Sequence, residues 1–294
     1  MDPYVADPEK IPTTDLYADL PSFGRYYPKP DDFRIEIQHV NSRTPESLRY
    51  WASVVGLCTE ENQICPSVDG TRAVFVLGSV IVKSNHLHAR DEAQWTEIDR
   101  SYGDSNEVQA IALAKTVLKD IKVPEIYFAG EINGLPVIIQ ERLPGVVLGV
   151  AWPYLSIKQK NFHKEEARKI IRQLYTIKPP ENLRGRSYVV PDPNILTNGR
   201  LDPREPEILF SSSDQDPDMN FMHNDFNVSN CIVDKGKIVG LFDWEMAGFF
   251  GWKTAGEVHH RIRSFHREDF VEANLSEEKL QDLVFWNDLY DTEH

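Results

Sequence analysis

One stretch limits what this chain can fold into more than any other: Phe221 to Gly248, FMHNDFNVSNCIVDKGKIVGLFDWEMAG. It carries an H-x-D-x-x-x-x-N pattern in His223, Asp225 and Asn230. An apolar run from Cys231 to Val233 follows, then Asp234-Lys235-Gly236-Lys237, then a second apolar run from Ile238 to Phe242 that delivers Asp243. The pattern predicts a loop, a strand, a tight turn and a second strand, because glycine supplies the positive φ that a short hairpin turn needs. Strand pairing brings Asn230, just before the first strand, beside Asp243, just after the second. Two oxygen-bearing side chains held together, with Asp225 on the same loop, suit a hard cation such as Mg²⁺. Mg²⁺ held by one or two carboxylates keeps positions for phosphate oxygens, so the stretch points to phosphoryl transfer.

The remaining composition narrows the class. A chain of 294 residues with 41% hydrophobic residues is long enough to bury a substantial core in one two-lobed domain or two small ones. Its net charge of −14 argues against a nucleic-acid footprint and against attraction to an anionic membrane. No apolar run approaches membrane-spanning length, and the start MDPYVADPEK lacks the basic and apolar regions of a secretory signal. Three cysteines, Cys58, Cys65 and Cys231, without C-x-x-C spacing, suit a reduced, cytoplasmic protein.

Read in order, residues 1–45 are rich in Pro, Asp and Tyr and lack periodicity, as in an extension on the surface or partly disordered. Tyr17, Phe23, Tyr26 and Tyr27 give it the means to dock. Thr44-Pro45-Glu46-Ser47 starts a short amphipathic helix, with Thr44 as N-cap. Two β-rich runs flank Gly78-Ser79, the second ending at Lys83. A helix is expected from Asn106 to Lys119, then strands over 123–128 and 135–140 joined through Gly130 to Gly134, and a chain break at Pro144-Gly145. Lys164 to Ile177 reads as a strong helix and 178–220 as a long irregular loop fit to line a pocket. A last helix from Ser276 is expected to turn Leu280, Leu283, Val284 and Leu289 inward. His259, His260 and His266 do not predict zinc, since adjacent histidines point apart on a helix and no H-E-x-x-H accompanies them.

The stretch around His223, Asp225, Asn230 and Asp243 resembles the catalytic loop and metal-binding Asp of the kinase-like superfamily. Its wording is closer to the aminoglycoside phosphotransferase and choline kinase branch, the "phosphotransferase enzyme family", than to protein kinases. His223-Asn224-Asp225 stands where protein kinases have His-Arg-Asp, Asp243-Trp244-Glu245 replaces their Asp-Phe-Gly, and no Ala-Pro-Glu follows. The tail FDWEMAGFFGW looks like fungal-type small-molecule-kinase-like sequences. The resemblance spans roughly Val74 to Gly256. It lacks the G-x-G-x-x-G cover, of which Gly78-Ser79 is the candidate remnant, and has Val228 where relatives commonly carry Pro.

The resemblance implies an α+β, two-lobed protein-kinase-like fold with a small antiparallel-sheet N-lobe and a mainly helical C-lobe. Three parts are expected: an extension (1–45), a nucleotide-binding lobe (46–143) and a catalytic, acceptor-binding lobe (144–294). ATP and Mg²⁺ are the implied cofactors and a small-molecule hydroxyl the implied acceptor. Lys83 is expected on phosphate with Glu107 behind it, and the backbone of Gln140, Glu141, Arg142 and Leu143 at the adenine edge. Asn230 and Asp243 are expected on metal. Asp225 is expected to orient the acceptor hydroxyl and take its proton late, since an aspartate of pKa about 3.9 cannot deprotonate an alcohol beforehand. His223 is expected to brace the loop, while Asn227 and Glu245 are candidates for loop support or substrate contact. The competing readings are a nucleotide-binding or scaffold protein that keeps the kinase fold without transfer, and an enzyme that has reused the pocket for different chemistry.

Overall fold

Alternation along the strand that ends near Lys83 organises the first lobe. Val80, Val82 and Ser84 are buried on one face, while Ile81 and Lys83 lie on the other, the period-two pattern of a strand. The computed structural model describes residues 1–66, 72–87, 99–196, 201–210, 216 and 218–291. In chain order these form β1 (Arg25–Tyr26), α1 (Pro45–Gly56), β2 (Gln63–Cys65), β3 (Val74–Leu77), β4 (Val80–Ser84), α2 (Ser101–Val117), β5 (Ile126–Ile132), β6 (Leu135–Glu141), β7 (Gly145–Val147), α3 (Leu148–Ala151) and α4 (Ile157–Leu174). There follow β8 (Ser187–Tyr188), α5 (Arg204–Leu209), β9 (Asn220–Met222), β10 (Cys231–Asp234), β11 (Lys237–Leu241), β12 (Gly248–Phe250), α6 (Trp252–Val258) and α7 (Glu277–Leu283). The fold is α+β and two-lobed, an antiparallel-sheet lobe followed by a mainly helical one. Among the described residues no helix is long and apolar enough to cross a membrane.

The first lobe is an antiparallel sheet of order β2-β3-β4-β6-β5. Its outer face packs on α1, where Trp51, Val54 and Val55 meet Phe75, Val80, Val82, Phe128, Val137 and Ile139. Thr44 caps α1 by accepting from Ser47 N–H, with Pro45 in the first turn as expected. The larger core lies under α2, α3, α4 and the β10–β11 hairpin. A strand-like exchange joins the lobes: Lys122 N–H donates to Val239 C=O at 2.8 Å, and Leu241 N–H to Lys122 C=O at 2.9 Å.

Several expectations shift. Strand β5 runs through Gly130 to Ile132, and the turn to β6 is Asn133-Gly134, both at positive φ. Asn-Gly is a strong hairpin signal, and it outweighs the isolated Gly130. Helix α2 begins at Ser101 rather than Asn106, because its first turns are held by buried polar contacts that leave no apolar stripe to read. Helix α4 begins at Ile157, set by a capping box between Ser156 and Gln159. The stretch 178–220 is not wholly irregular, since it contributes β8, α5 and the first residue of β9. Near the C-terminus Leu289 is buried, but Leu283 is exposed, and Trp286 and Tyr290 carry the packing instead.

The extension is part of the body. Strand β1 pairs with β7, within a sheet of order β1-β7-β10-β11. The Arg25 guanidinium lies 3.0 Å from Asp15 Oδ2, with both side chains shut off from solvent, and Tyr154 O–H donates to the same oxygen at 2.6 Å. Tyr26 is buried while Tyr27 remains exposed. Replacing Asp15 with Ala strands the buried Arg25 charge, so a loss of about 3–5 kcal/mol is expected in urea unfolding. An unchanged midpoint would show that the extension contributes little to the fold.

Candidate functional site

Lys83 leaves β4 on the face shared with Ile138, its cross-strand partner, and meets α2 there. Its Nζ donates to Glu107 Oε1 and Oε2 at 2.9 and 3.1 Å and to Asp243 Oδ1 at 2.9 Å. One ammonium thus ties the sheet, α2 and the segment after β11. Burial alone pulls a lysine pKa down, but Asp243 and Glu107 outweigh it and push the value up, so the ammonium stays charged. Burial likewise raises an aspartate, yet Lys83 holds Asp243 below its ordinary value.

Helix α2 is fixed by further polar contacts that the sequence did not announce. Asp104 lies one turn before Glu107, and its carboxylate sits 2.6 Å from the buried Arg72 guanidinium. Asn106 donates to Glu245 C=O and Ala247 C=O at 2.9 Å each and accepts from Val190 N–H at 2.8 Å, satisfying its amide at both ends. Glu245 itself reaches to 3.9 Å from Arg100, so its carboxylate has a protein partner near the start of α2.

The stretch from Phe221 to Gly248 folds as its residues dictate. Lys235 and Gly236 take positive φ, closing a two-residue turn, and β10 pairs with β11 from Cys231 opposite Leu241. Asn230 C=O accepts from Phe242 N–H at 3.1 Å, which sets Asn230 next to the residue before Asp243. Asp243 stands at φ 65°, a conformation sparsely populated by residues with a side chain and concentrated at functional sites. Asn230 Nδ2 donates to Asp225 C=O at 2.8 Å and to Asp225 Oδ2 at 3.0 Å, while Asn227 Nδ2 donates to Asp225 Oδ1 at 3.0 Å.

His223 spans this loop and the segment before Asp243. The Phe242 carbonyl can only accept, so the 3.0 Å contact assigns the ring proton to Nε2, and Nδ1 then accepts from Asp225 N–H at 3.3 Å. Burial pushes the ring pKa down to about 4, which keeps it neutral. Burial also pushes the Asp225 carboxyl up to about 7, opposed by Arg263, whose Nε lies 3.1 Å from Oδ1. Arg263 follows α6, and its Nη2 lies 2.7 Å from each oxygen of Glu205 on α5. Neither Arg263 nor Glu205 carried a sequence signal, because contacts between distant loops leave no spacing pattern.

The connecting residues 140–143 are placed differently from the simplest expectation. Glu141 N–H already donates to Glu125 C=O at 2.8 Å, and Arg142 N–H to Ser79 C=O at 2.9 Å. The Arg142 side chain turns toward the extension, donating to Ser22 C=O and Arg25 C=O at 2.9 and 2.8 Å. Gln140 and Leu143 are buried. Gly78-Ser79 is not a cover over Lys83. Register pairs Val80 with Glu141 and Lys83 with Ile138, so that turn lies at the connecting-segment end of the sheet, about 10 Å along the strand from Lys83. It packs instead on the extension, where a Cβ on Gly78 would meet Phe33 N at 2.4 Å. The connection at the Lys83 end is the one between β2 and β3, and its residues 67–71 lie outside the described residues.

A cavity of about 900 Å³ lies elsewhere, between α1, α2 and β5, lined by Arg43, Leu48, Val108 and Phe128 among others, and it includes neither Lys83 nor Asp225. Among the described residues no group of three His, Cys, Asp or Glu side chains is arranged to hold a metal. The pair Asn230 and Asp243 nonetheless fits a hard cation that draws other ligands from substrate and water. Lys83 engages one oxygen of Asp243, whose side chain is 34% exposed, and the Asn230 amide has its nitrogen on Asp225 and its oxygen at the opposite end.

The Asp225 titration has a measurable consequence. Unfolded aspartate titrates near 3.9, whereas folded Asp225 titrates at about 7. Between those values the folded state binds more protons, so this group's contribution to stability falls as pH rises through the window. Asp225→Asn is expected to be more stable than wild type at about pH 8, by on the order of 1–3 kcal/mol, with the gap closing toward about pH 4–5. Parallel stability curves over that range would show an ordinary carboxylate.

Residues 104–249 match a family model described as "Phosphotransferase enzyme family". The match holds Glu107, Asp225, Asn230 and Asp243 and leaves Lys83 and Arg263 outside. The chain is similar in structure to an ADP-bound aminoglycoside phosphotransferase, APH(2'')-Ib, at 10% identity over 85% of this chain and 98% of that one, with a TM-score of 0.45. It is also similar to the macrolide 2'-phosphotransferase MphH from Brachybacterium faecium, at 13% identity over 85% and 84% of the two chains, TM-score 0.43. A third similar structure is the aminoglycoside phosphotransferase APH(3'')-Id from Streptomyces rimosus, at 15% identity over 77% and 92%, TM-score 0.43. No curated protein matches the chain. Residues 104–249, just under half of the chain, are thus similar to the phosphotransferase enzyme family.

Proposed function

We propose that this protein transfers the γ-phosphoryl group of ATP to a hydroxyl of a small molecule. The observation that carries the reading is Lys83 Nζ held between Glu107 and Asp243, with Asp225 presented by the adjoining loop. Lys83 is the phosphate-binding cation, and Glu107 fixes its direction. Asn230 and Asp243 would hold Mg²⁺, which would supply charge screening for the nucleotide phosphates. Asp225 accepts the hydroxyl hydrogen and aims the oxygen at phosphorus, and most of the acceleration comes from that positioning together with charge stabilisation. His223, neutral and hydrogen bonded at both ring nitrogens, keeps the Asp225 loop and the Asp243 segment in one arrangement.

The competing reading is a kinase-fold protein that binds nucleotide without transfer. It is favoured by the Arg263 guanidinium lying against the Asp225 carboxylate.

Screening ADP release from ATP and Mg²⁺ against a panel of amino alcohols, sugars and other hydroxyl compounds tests the proposal. Wild type is expected to release ADP with at least one acceptor and to yield its phosphate ester. Asp225→Asn should lower kcat by about 10²–10⁴ while ATP binding persists, and Lys83→Met should weaken ATP use. Full activity of Asp225→Asn would remove Asp225 from the chemistry.

A further inference from the structure

Arg263 and Glu205 have no part in the scheme above, yet they touch its central carboxylate. Both side chains are nearly buried, at 16% and 1% exposure. The far end of the Arg263 guanidinium is pinned, because Nη2 meets both Glu205 oxygens at 2.7 Å. That anchor brings Nε into ion-pair range, 3.1 Å from Asp225 Oδ1, which accepts a hydrogen bond from Asn227 Nδ2 at 3.0 Å. On the other oxygen, Oδ2, Asn230 Nδ2 donates at 3.0 Å.

An ionised carboxylate has about two lone pairs on each oxygen. Each oxygen accepts one asparagine hydrogen bond, and the Arg263 charge lies against Oδ1, so Oδ2 is the oxygen left open to a further donor. The Asp225 side chain keeps 20% of its surface exposed, so Arg263 does not seal it. The terminal torsion of an aspartate is broad and two-fold, and since each oxygen has an asparagine donor, the Arg263 charge beside Oδ1 is what distinguishes the two. We infer that Arg263 is a positioning residue for phosphoryl transfer: anchored by Glu205, it fixes the Asp225 carboxylate so that Oδ2 faces the acceptor hydroxyl. The inference rests on the phosphotransferase reading. It also explains why arginine stands here, since one planar fork serves Glu205 and Asp225 together, whereas a lysine ammonium is a single point charge.

The experiment uses the full chain and hydrolysis of ATP with Mg²⁺, in which water is the acceptor. Three variants are compared with wild type: Arg263→Met, Arg263→Lys, and Arg263→Met with Glu205→Gln, the last removing both buried charges together so that neither is stranded. The two Met-containing variants are expected to lose at least about tenfold in kcat with KM for ATP within about twofold, the signature of an interaction that acts in the chemical step. Arg263→Lys should recover part of the loss. A kcat within about twofold of wild type in the double variant overturns the inference, and a raised kcat assigns Arg263 a blocking role instead. A crystal structure of the double variant reads the geometry without turnover: the Asp225 carboxylate should turn away from Asn230, and an unmoved carboxylate also overturns the inference. If wild type binds ATP but transfers phosphate neither to water nor to any acceptor of the panel above, phosphotransferase activity is refuted, while the carboxylate orientation still decides the positioning role.

Discussion

The structure depends on one buried cation. Lys83 draws a carboxylate from α2 and another from the segment after β11, so a single ammonium fixes how the sheet, the helix and the second lobe meet. Such an arrangement is a poor investment in stability alone, because desolvating three charges offsets most of their attraction, and apolar replacements of similar volume are often as stable. What it supplies is a charge held in one place. The other contacts of α2 serve the same end. Arg72 on Asp104 repeats the pattern one helical turn earlier, and Asn106 ties the helix to the backbone of Glu245 and Ala247. The acidic helix face is therefore registered against the Asp243 segment, and Lys83 has little freedom to point elsewhere.

The second constraint is the neutral histidine. His223 donates from Nε2 to Phe242 C=O and accepts at Nδ1 from Asp225 N–H. Charging it would turn that acceptor into a donor, and burial opposes the charge. One uncharged ring thus couples the backbone beside the proposed proton acceptor to the backbone beside the metal-ligand candidate. Asn230 adds a parallel connection through Asp225, and Arg263 approaches from the opposite side with Glu205 behind it.

How much of this was legible depended on range. The hairpin was legible because its determinants are local: Lys235-Gly236 chooses the turn, and the apolar runs choose the register that sets Asn230 beside the end of β11. The Lys83 and Glu107 contact was legible only through the resemblance, since neither residue marks itself out by spacing. The turn at Gly78 misled because a glycine near a lysine suggests a phosphate cover, while antiparallel register sends that turn to the far end of the strand and under Phe33. Arg142 was placed by backbone order alone, and its side chain follows a different attraction, the Tyr26 ring at 4.5 Å and the carbonyls of the extension. Arg263, Glu205 and Asp15 were silent in the sequence for the same reason. Each is defined by a partner outside any local spacing pattern, and a lone charged residue reads as solvated surface until the fold supplies that partner.

The central claim is a metal-dependent nucleotide site at Lys83 and Asp243, and a thermal-unfolding titration with ATP, with and without Mg²⁺, on wild type and Asp243→Ala tests it most directly. Ligand at about 100 times its dissociation constant adds roughly 2.7 kcal/mol, which at about 2–4 °C per kcal/mol is a rise of several degrees. The account predicts a rise in wild type that needs Mg²⁺ and is lost in Asp243→Ala. No rise in wild type at saturating ATP, or the same rise in both proteins, would contradict it.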